Sequence, residues 1–208
     1  MYKLTKISCY SGILVQAVVC NLMAVLFIPL MELYSLSYVH LGMLVAVNFI
    51  AQVAVDILFS GMIDKYGFKK LALPAVFFAF CGLVLFGLTP FLFPENILAG
   101  LTVSTIVFAS ASGFLEVLIS PMTDAIPSED KGASMSLMHS FYAWGSVLTV
   151  VLTTVYIYVF GSAHWYIAVF LWAMIPFVNF FMFCFSKFPD AKPVQTRREK
   201  KKIFLNMK

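Results

Sequence analysis

The stretch Gly61-Met62-Ile63-Asp64-Lys65-Tyr66-Gly67-Phe68-Lys69-Lys70 is followed at once by the apolar run Leu71–Phe93. The run is long enough to cross a membrane as a helix, since a hydrocarbon core of ~30 Å needs ~20 apolar residues. The lysines before it stay with water and headgroups on the cytoplasmic side. The stretch therefore predicts a short basic loop that leads into a membrane span.

Five further apolar runs share these properties, and the sequence predicts six transmembrane helices. Hydrophobic residues make up 62% and charged residues 12% of the 208 residues, whereas soluble domains carry about 25% charged residues. Backbone amides inside lipid must be satisfied within the segment, which makes such runs helical. The six predicted spans are Ile7–Met31, Tyr38–Ser60, Leu71–Phe93, Ile97–Ser120, Ala133–Phe160 and Trp165–Phe188.

The 14 Lys and Arg residues predict the orientation. With the N-terminus inside, all of them fall in cytoplasmic segments, as the positive-inside rule requires. We expect an integral, multi-pass protein of a bacterial cytoplasmic membrane, with both termini cytoplasmic. Residues 1–188 would form the bundle, and residues 189–208 a basic tail that begins a central loop.

Polar residues are unevenly distributed over the predicted helices. The third and sixth are almost purely apolar, whereas the first, second, fourth and fifth carry many amides, hydroxyls and ionisable groups. This apportionment favours two inverted triplets, an arrangement common in secondary transporters. The alternative is an ordinary bundle with wetter and drier helices.

The loop quoted above resembles the loop between the second and third helices of the major facilitator superfamily. The resemblance lies in two glycines, an acidic–basic pair and two following basic residues: Gly61, Asp64, Lys65, Gly67, Lys69 and Lys70. It implies the N-terminal six-helix half of such a transporter, with Gly61, Asp64 and Gly67 in a gating loop that latches onto a second half. The alternative is an ordinary basic loop.

A second stretch resembles the fucose/glucose-type sugar–proton symporter branch and its bacterial relatives. It consists of Gly113, Glu116 and Pro121 in the fourth span and the segment 137–145, Leu-Met-His-Ser-Phe-Tyr-Ala-Trp-Gly, in the fifth. The resemblance implies proton-coupled transport of a small polar solute, a sugar above all. Ala143 and Trp144 depart from the branch pattern and leave the identity of the sugar open.

Glu116, His139 and Asp56 are the ionisable candidates for coupling, because a charge inside a membrane helix is costly and usually functional. We place Glu116 about one turn from the cytoplasmic end of its helix, at a depth close to that of His139. The two could form a proton-coupling pair, or Glu116 could be a structural tie to Lys65 or Lys131.

Asn48 and Gln52 share one stripe of the second helix with Asp56 at i, i+4, i+8 spacing. The stripe could line a hydrophilic path or make hydrogen bonds between helices. A sugar needs amide hydrogen bonds and an aromatic face, so the candidate cavity residues are Gln16, Asn21, Asn48, Gln52, Tyr142 and Trp144. For each of these a packing role is the alternative.

These patterns predict a secondary transporter that works by alternating access. Its partners would be the lipid bilayer, a small solute, protons and a second six-helix half. That half could be the rest of a truncated gene product, a second chain or a second copy. We find no sequence motif for an enzyme, a cofactor, a metal site or nucleic-acid binding. A non-transporting receptor, scaffold or assembly factor remains the alternative class.

Overall fold

A computed structural model describes residues 2–189, with the exception of the side chain of Asp64. This part of the chain forms seven α-helices and one 3₁₀ turn, Ser162–His164. The helices are α1 (Lys3–Val25), α2 (Phe27–Tyr34), α3 (Tyr38–Phe59), α4 (Met62–Leu92), α5 (Ile97–Ala125), α6 (Lys131–Phe160) and α7 (Trp165–Phe185). Six of them are long and apolar enough to cross a membrane, which confirms the prediction of a six-span bundle.

The first predicted span is divided in the structure. Helix α1 ends at Val25 and α2 begins at Phe27, with Leu26 between them out of helical conformation. Pro29 accounts for the break, because it has no N–H to donate to the carbonyl of Val25. The expected single run Ile7–Met31 is therefore wrong in this respect, although the whole segment still leads to the outer loop.

Two other predicted boundaries were wrong, the end of the fourth span and the start of the third. Helix α5 continues through Pro121 to Ala125 instead of ending at Ser120, since membrane helices tolerate proline where neighbouring groups compensate the lost bond. Helix α4 begins at Met62, so most of the basic loop is helical, with a break at Gly67.

Polar caps begin three of the helices, and Ser37 caps α3 by accepting a hydrogen bond from the His40 N–H at 3.4 Å. The Asn96 side chain accepts a hydrogen bond from the Ala99 N–H at 3.2 Å, and the Asp130 carboxylate accepts one from the Ala133 N–H at 2.8 Å. Such caps satisfy backbone donors that have no partner within the helix. They fix the residues at which these helices begin.

The packing of the helices reproduces the expected inverted repeat. Helices α1 and α5 are central; α1 packs most extensively on α6, and α5 packs on α3 and α4, while the apolar helices α4 and α7 pack on each other. The first helix of each triplet thus lies against the second helix of the other triplet. Helices α1, α3, α5 and α6, which carry most of the polar residues, converge on one side of the bundle.

Candidate functional site

The four polar helices enclose an open cavity of about 420 Å³. Side chains at helical spacing line it, four from α1 and two each from α3, α5 and α6. The lining consists of Ile13, Gln16, Cys20, Asn21, Phe49, Gln52, Glu116, Ser120, His139 and Tyr142. Six of the predicted site residues are therefore brought together: Gln16, Asn21, Gln52, Glu116, His139 and Tyr142.

Glu116 is held by two amides from different helices. Its Oε2 atom accepts a hydrogen bond from Gln52 Nε2 at 2.6 Å and another from Gln16 Nε2 at 3.1 Å. Both glutamines are buried, with 9% and 6% of their surface exposed, whereas Glu116 itself faces the cavity. One carboxylate oxygen thus joins α1, α3 and α5.

A close approach of α3 to α5 allows the contact with Gln52. A Cβ atom on Gly113 would lie 2.6 Å from the Gln52 carbonyl oxygen and 3.0 Å from Asp56 Oδ1. Only glycine leaves room for the α3 backbone there. Gly113 lies one turn before Glu116, so this contact sets α3 beside the carboxylate.

A second polar contact joins α1 to α6 at the rim of the cavity. Asn21 Nδ2 donates to Ser146 Oγ at 3.1 Å and to the Ala17 carbonyl at 2.8 Å. Ser146 Oγ in turn donates to the Tyr142 carbonyl at 3.0 Å. Asn21 is thus tied to the helix that carries Tyr142 and His139.

His139 and Glu116 line the same cavity without a hydrogen bond between them in the described part of the chain. The structural tie expected for Glu116 takes another form: its partners are amides, while Lys131 pairs with Asp124 at 3.2 Å. The predicted depth was also wrong. Because α5 extends to Ala125, Glu116 lies nine residues, or about 14 Å, before the end of the helix.

Three predicted site residues do not line this cavity. Asn48 is buried with 4% exposure, and Asp56 lies beside Gly113 with Oδ1 lacking a hydrogen-bond partner among the described residues. Positions i, i+4 and i+8 spread over about 80° of a helix, so only the middle residue of the stripe, Gln52, faces the cavity. Trp144 is 67% exposed, because two residues after Tyr142 the helix has turned by about 200°.

The sequence analysis missed Cys20, Phe49 and Ser120. Cys20 Sγ lies 3.6 Å from Ser112 Oγ and 3.9 Å from Gln52 Oε1. A signal was available, since Cys20 follows Gln16 by four residues, Ser120 follows Glu116 by four, and Phe49 precedes Gln52 by three. Extending each polar candidate along its own helix face would have found them.

The predicted gating loop forms the first turns of α4 from Met62 onwards, and the helical conformation is interrupted at Gly67. Gly67 has φ 75° and ψ 166°, a conformation open almost only to glycine. No atom lies within 4 Å of a Cβ placed on Gly61, so no other described segment packs closely against this glycine. Lys65, Lys69 and Lys70 are exposed, and the side chain of Asp64 lies outside those described.

The cavity combines one carboxylate with amide, hydroxyl, imidazole and aromatic groups. Neither lysine nor arginine is among its lining residues. Within residues 2–189, no cluster of three His, Cys, Asp or Glu side chains is suited to a metal ion. These groups can form reversible hydrogen bonds with a small polar molecule.

Comparisons with known proteins agree with this architecture. The family model of the Major Facilitator Superfamily matches residues 9–207. No curated protein matches the sequence significantly. The fold is similar to the inward-open conformation of the xylose transporter XylE from E. coli, with a TM-score of 0.78, 12% identity and coverage of 98% of this chain and 52% of that chain.

A second similar structure is the proton:xylose symporter XylE bound to 6-bromo-6-deoxy-D-glucose. The TM-score is 0.72 at 13% identity, over 94% of this chain and 46% of that chain. The chain therefore spans about half the length of these structures. At such identities the likeness shows the fold alone.

Proposed function

Because the chain belongs to the Major Facilitator Superfamily, we propose that it forms one half of a secondary transporter for a small polar solute. Its six spans make it an integral, multi-pass membrane protein. Transport would proceed by alternating access, with the cavity between α1, α3, α5 and α6 as this half's part of the solute path. The solute class that we favour is a sugar, and the coupling ion a proton.

The observation that carries the proposal is the carboxylate of Glu116 inside a cavity lined by amides and Tyr142. Amide groups donate and accept hydrogen bonds, and a sugar hydroxyl can satisfy both. A single carboxylate in a lining that holds neither lysine nor arginine is a candidate for proton coupling. Structural similarity to a proton:xylose symporter supports the same solute class.

The partner that completes the path would be a second six-helix half. The cavity is open on one side, and apolar side chains of α3 beside it are exposed, among them Phe49 at 54% and Val53 at 51%. Exposed apolar surface next to a polar cavity is suited to an interface with another bundle. In the proposed cycle the loop with Asp64 latches onto that half.

Uptake of labelled monosaccharides tests the function. The chain would be expressed together with the second six-helix half, in cells without their own uptake of the probes, D-xylose and D-glucose. We expect accumulation that an imposed inward proton gradient increases and an uncoupler abolishes. Asp64→Asn should slow this uptake. Uptake equal to that of empty cells, with normal membrane insertion, would favour a receptor or scaffold instead.

A further inference from the structure

The two amide contacts to Glu116 converge on the same atom. Gln52 Nε2 and Gln16 Nε2 both bond to Oε2, and Oε1 has no hydrogen bond among the described residues. A carboxylate oxygen has two lone pairs, so the two amides use the full hydrogen-bonding capacity of Oε2. The two oxygens of Glu116 are therefore not equivalent.

We propose that Gln16 and Gln52 are positioning residues that fix Glu116 by Oε2 and present Oε1 to the proton or solute in the cavity. The assignment rests on the proposed function, since it deepens the role of the same cavity. A free glutamate side chain in a cavity of about 420 Å³ would sample several rotamers. Two amides on different helices restrict it to one.

The same arrangement connects the hydrogen bonding of the Glu116 carboxylate to side chains on two helices, α1 and α3. Helices α1 and α3 have few direct contacts with each other, and Oε2 is bonded to both. Any group that withdraws Glu116 from the amides frees a buried polar side chain on each helix, which is costly inside a membrane. Occupation of Oε1 leaves these bonds intact, whereas displacement of Oε2 does not.

The other titratable groups near Glu116 are Cys20 on α1, Asp56 on α3, and His139 and Tyr142 on α6. None of them is hydrogen-bonded to the Glu116 carboxylate in the described part of the chain. Asn21 is a cavity amide on α1 that bonds instead to Ser146 and Ala17. It provides a matched control for Gln16.

Labelling with dicyclohexylcarbodiimide tests the assignment without requiring transport. The reagent adds to protonated carboxyl groups in apolar surroundings, and peptide mass spectrometry measures the modified fraction of Glu116 in the purified protein. Hydrogen bonds from amides favour the unreactive carboxylate. We expect Gln16→Met and Gln52→Met each to accelerate labelling, by about tenfold or more if one hydrogen bond to a charged group is lost.

The double variant tests whether the two amides hold the same oxygen atom of Glu116 or act on this side chain independently. Since either amide alone still holds Oε2, Gln16→Met/Gln52→Met should exceed the product of the single accelerations. Asn21→Leu should leave the rate unchanged, and Asp56 serves as an internal comparator. If Gln52→Met does not fold, the comparison of Gln16→Met with Asn21→Leu decides the test, because both residues lie on α1.

Unchanged labelling in Gln16→Met, or equal acceleration in Asn21→Leu, would overturn the assignment. The outcomes for the two proposals are separable. If sugar uptake is absent while the labelling pattern appears, the transport proposal fails and the positioning of Glu116 stands. If uptake is present and labelling is insensitive to the glutamine substitutions, the positioning of Glu116 fails and the transport proposal stands.

Discussion

A Cβ atom on Gly113 would lie 2.6 Å from the carbonyl oxygen of Gln52, so the backbones of α5 and α3 meet there directly. The side chain of Gln52 is thereby brought within 2.6 Å of Glu116 Oε2. A corresponding contact occurs between α6 and α1, where a Cβ on Gly145 would lie 2.8 Å from Ala17 Cβ. Both glycines belong to the second triplet, and each allows a helix of the first triplet to approach closely, α3 against α5 and α1 against α6.

Gly113→Ala should separate α3 from α5. The added methyl group has no space against a backbone oxygen, and overpacking of this kind costs about 1–3 kcal/mol. We expect a lower thermal midpoint of the purified protein. We also expect less uptake per correctly inserted molecule, because Gln52 moves away from Glu116.

Gly42→Ala is the matched control for this substitution. Gly42 lies in α3, and no atom is within 4 Å of a Cβ placed there. Replacing an open helical glycine by alanine stabilises a helix by roughly 0.5–1 kcal/mol. A thermal midpoint that falls equally in both variants would contradict the assigned contact.

Glu116→Gln should separate binding from coupling. The amide keeps the size of the side chain and one oxygen acceptor for Gln16 and Gln52, but it cannot release a proton. We therefore expect exchange of labelled sugar across vesicles to persist while accumulation driven by a proton gradient is lost. Both are measured in the same vesicle preparation with the complete transporter.

Glu95→Gln controls for the change of charge. Glu95 is an exposed residue of the segment between α4 and α5, away from the cavity. Its substitution should change neither exchange nor accumulation. Proton-driven accumulation at the normal level in Glu116→Gln would exclude this carboxylate as the coupling group.

The sequence predicted the spans well because one physical requirement dominates them. Backbone amides in lipid must pair within the segment, so a long apolar run is a helix in almost any context. The boundaries failed at Pro29 and Pro121, where the result depends on local compensation. One proline separates α1 from α2, whereas the other is accommodated inside α5.

The residue types of the candidate site were predictable from the sequence, whereas the side chains that face the cavity were less so. Glu116, Gln16 and Gln52 stand out because polar groups are costly in a membrane. Which member of a stripe faces the cavity depends on helix rotation, and that is set by close contacts such as Gly113 against α3. Asn48 and Asp56 could not be separated from Gln52 without those contacts.

Gly67→Ala should strain the segment that joins α3 to the long part of α4. With φ 75° and ψ 166°, the position lies in a region where a side chain costs about 1–3 kcal/mol. We expect a reduced thermal midpoint and faster proteolysis between α3 and the long part of α4. Gly61→Ala, at negative φ with no atom within 4 Å, should have little effect on either measurement.

Tyr142 and Trp144 provide the last prediction, since they are two residues apart on α6 and face different surroundings. Tyr142 lines the cavity beside Glu116, whereas Trp144 is 67% exposed on another side of the helix. Tyr142→Ala should raise the KM for the transported sugar by about tenfold, as the loss of an aromatic contact and a hydrogen bond implies. Trp144→Ala should leave KM unchanged and affect only the amount of protein in the membrane. Equal increases in KM for both variants, measured as initial uptake rates against sugar concentration, would mean that the solute path includes the face of α6 that carries Trp144.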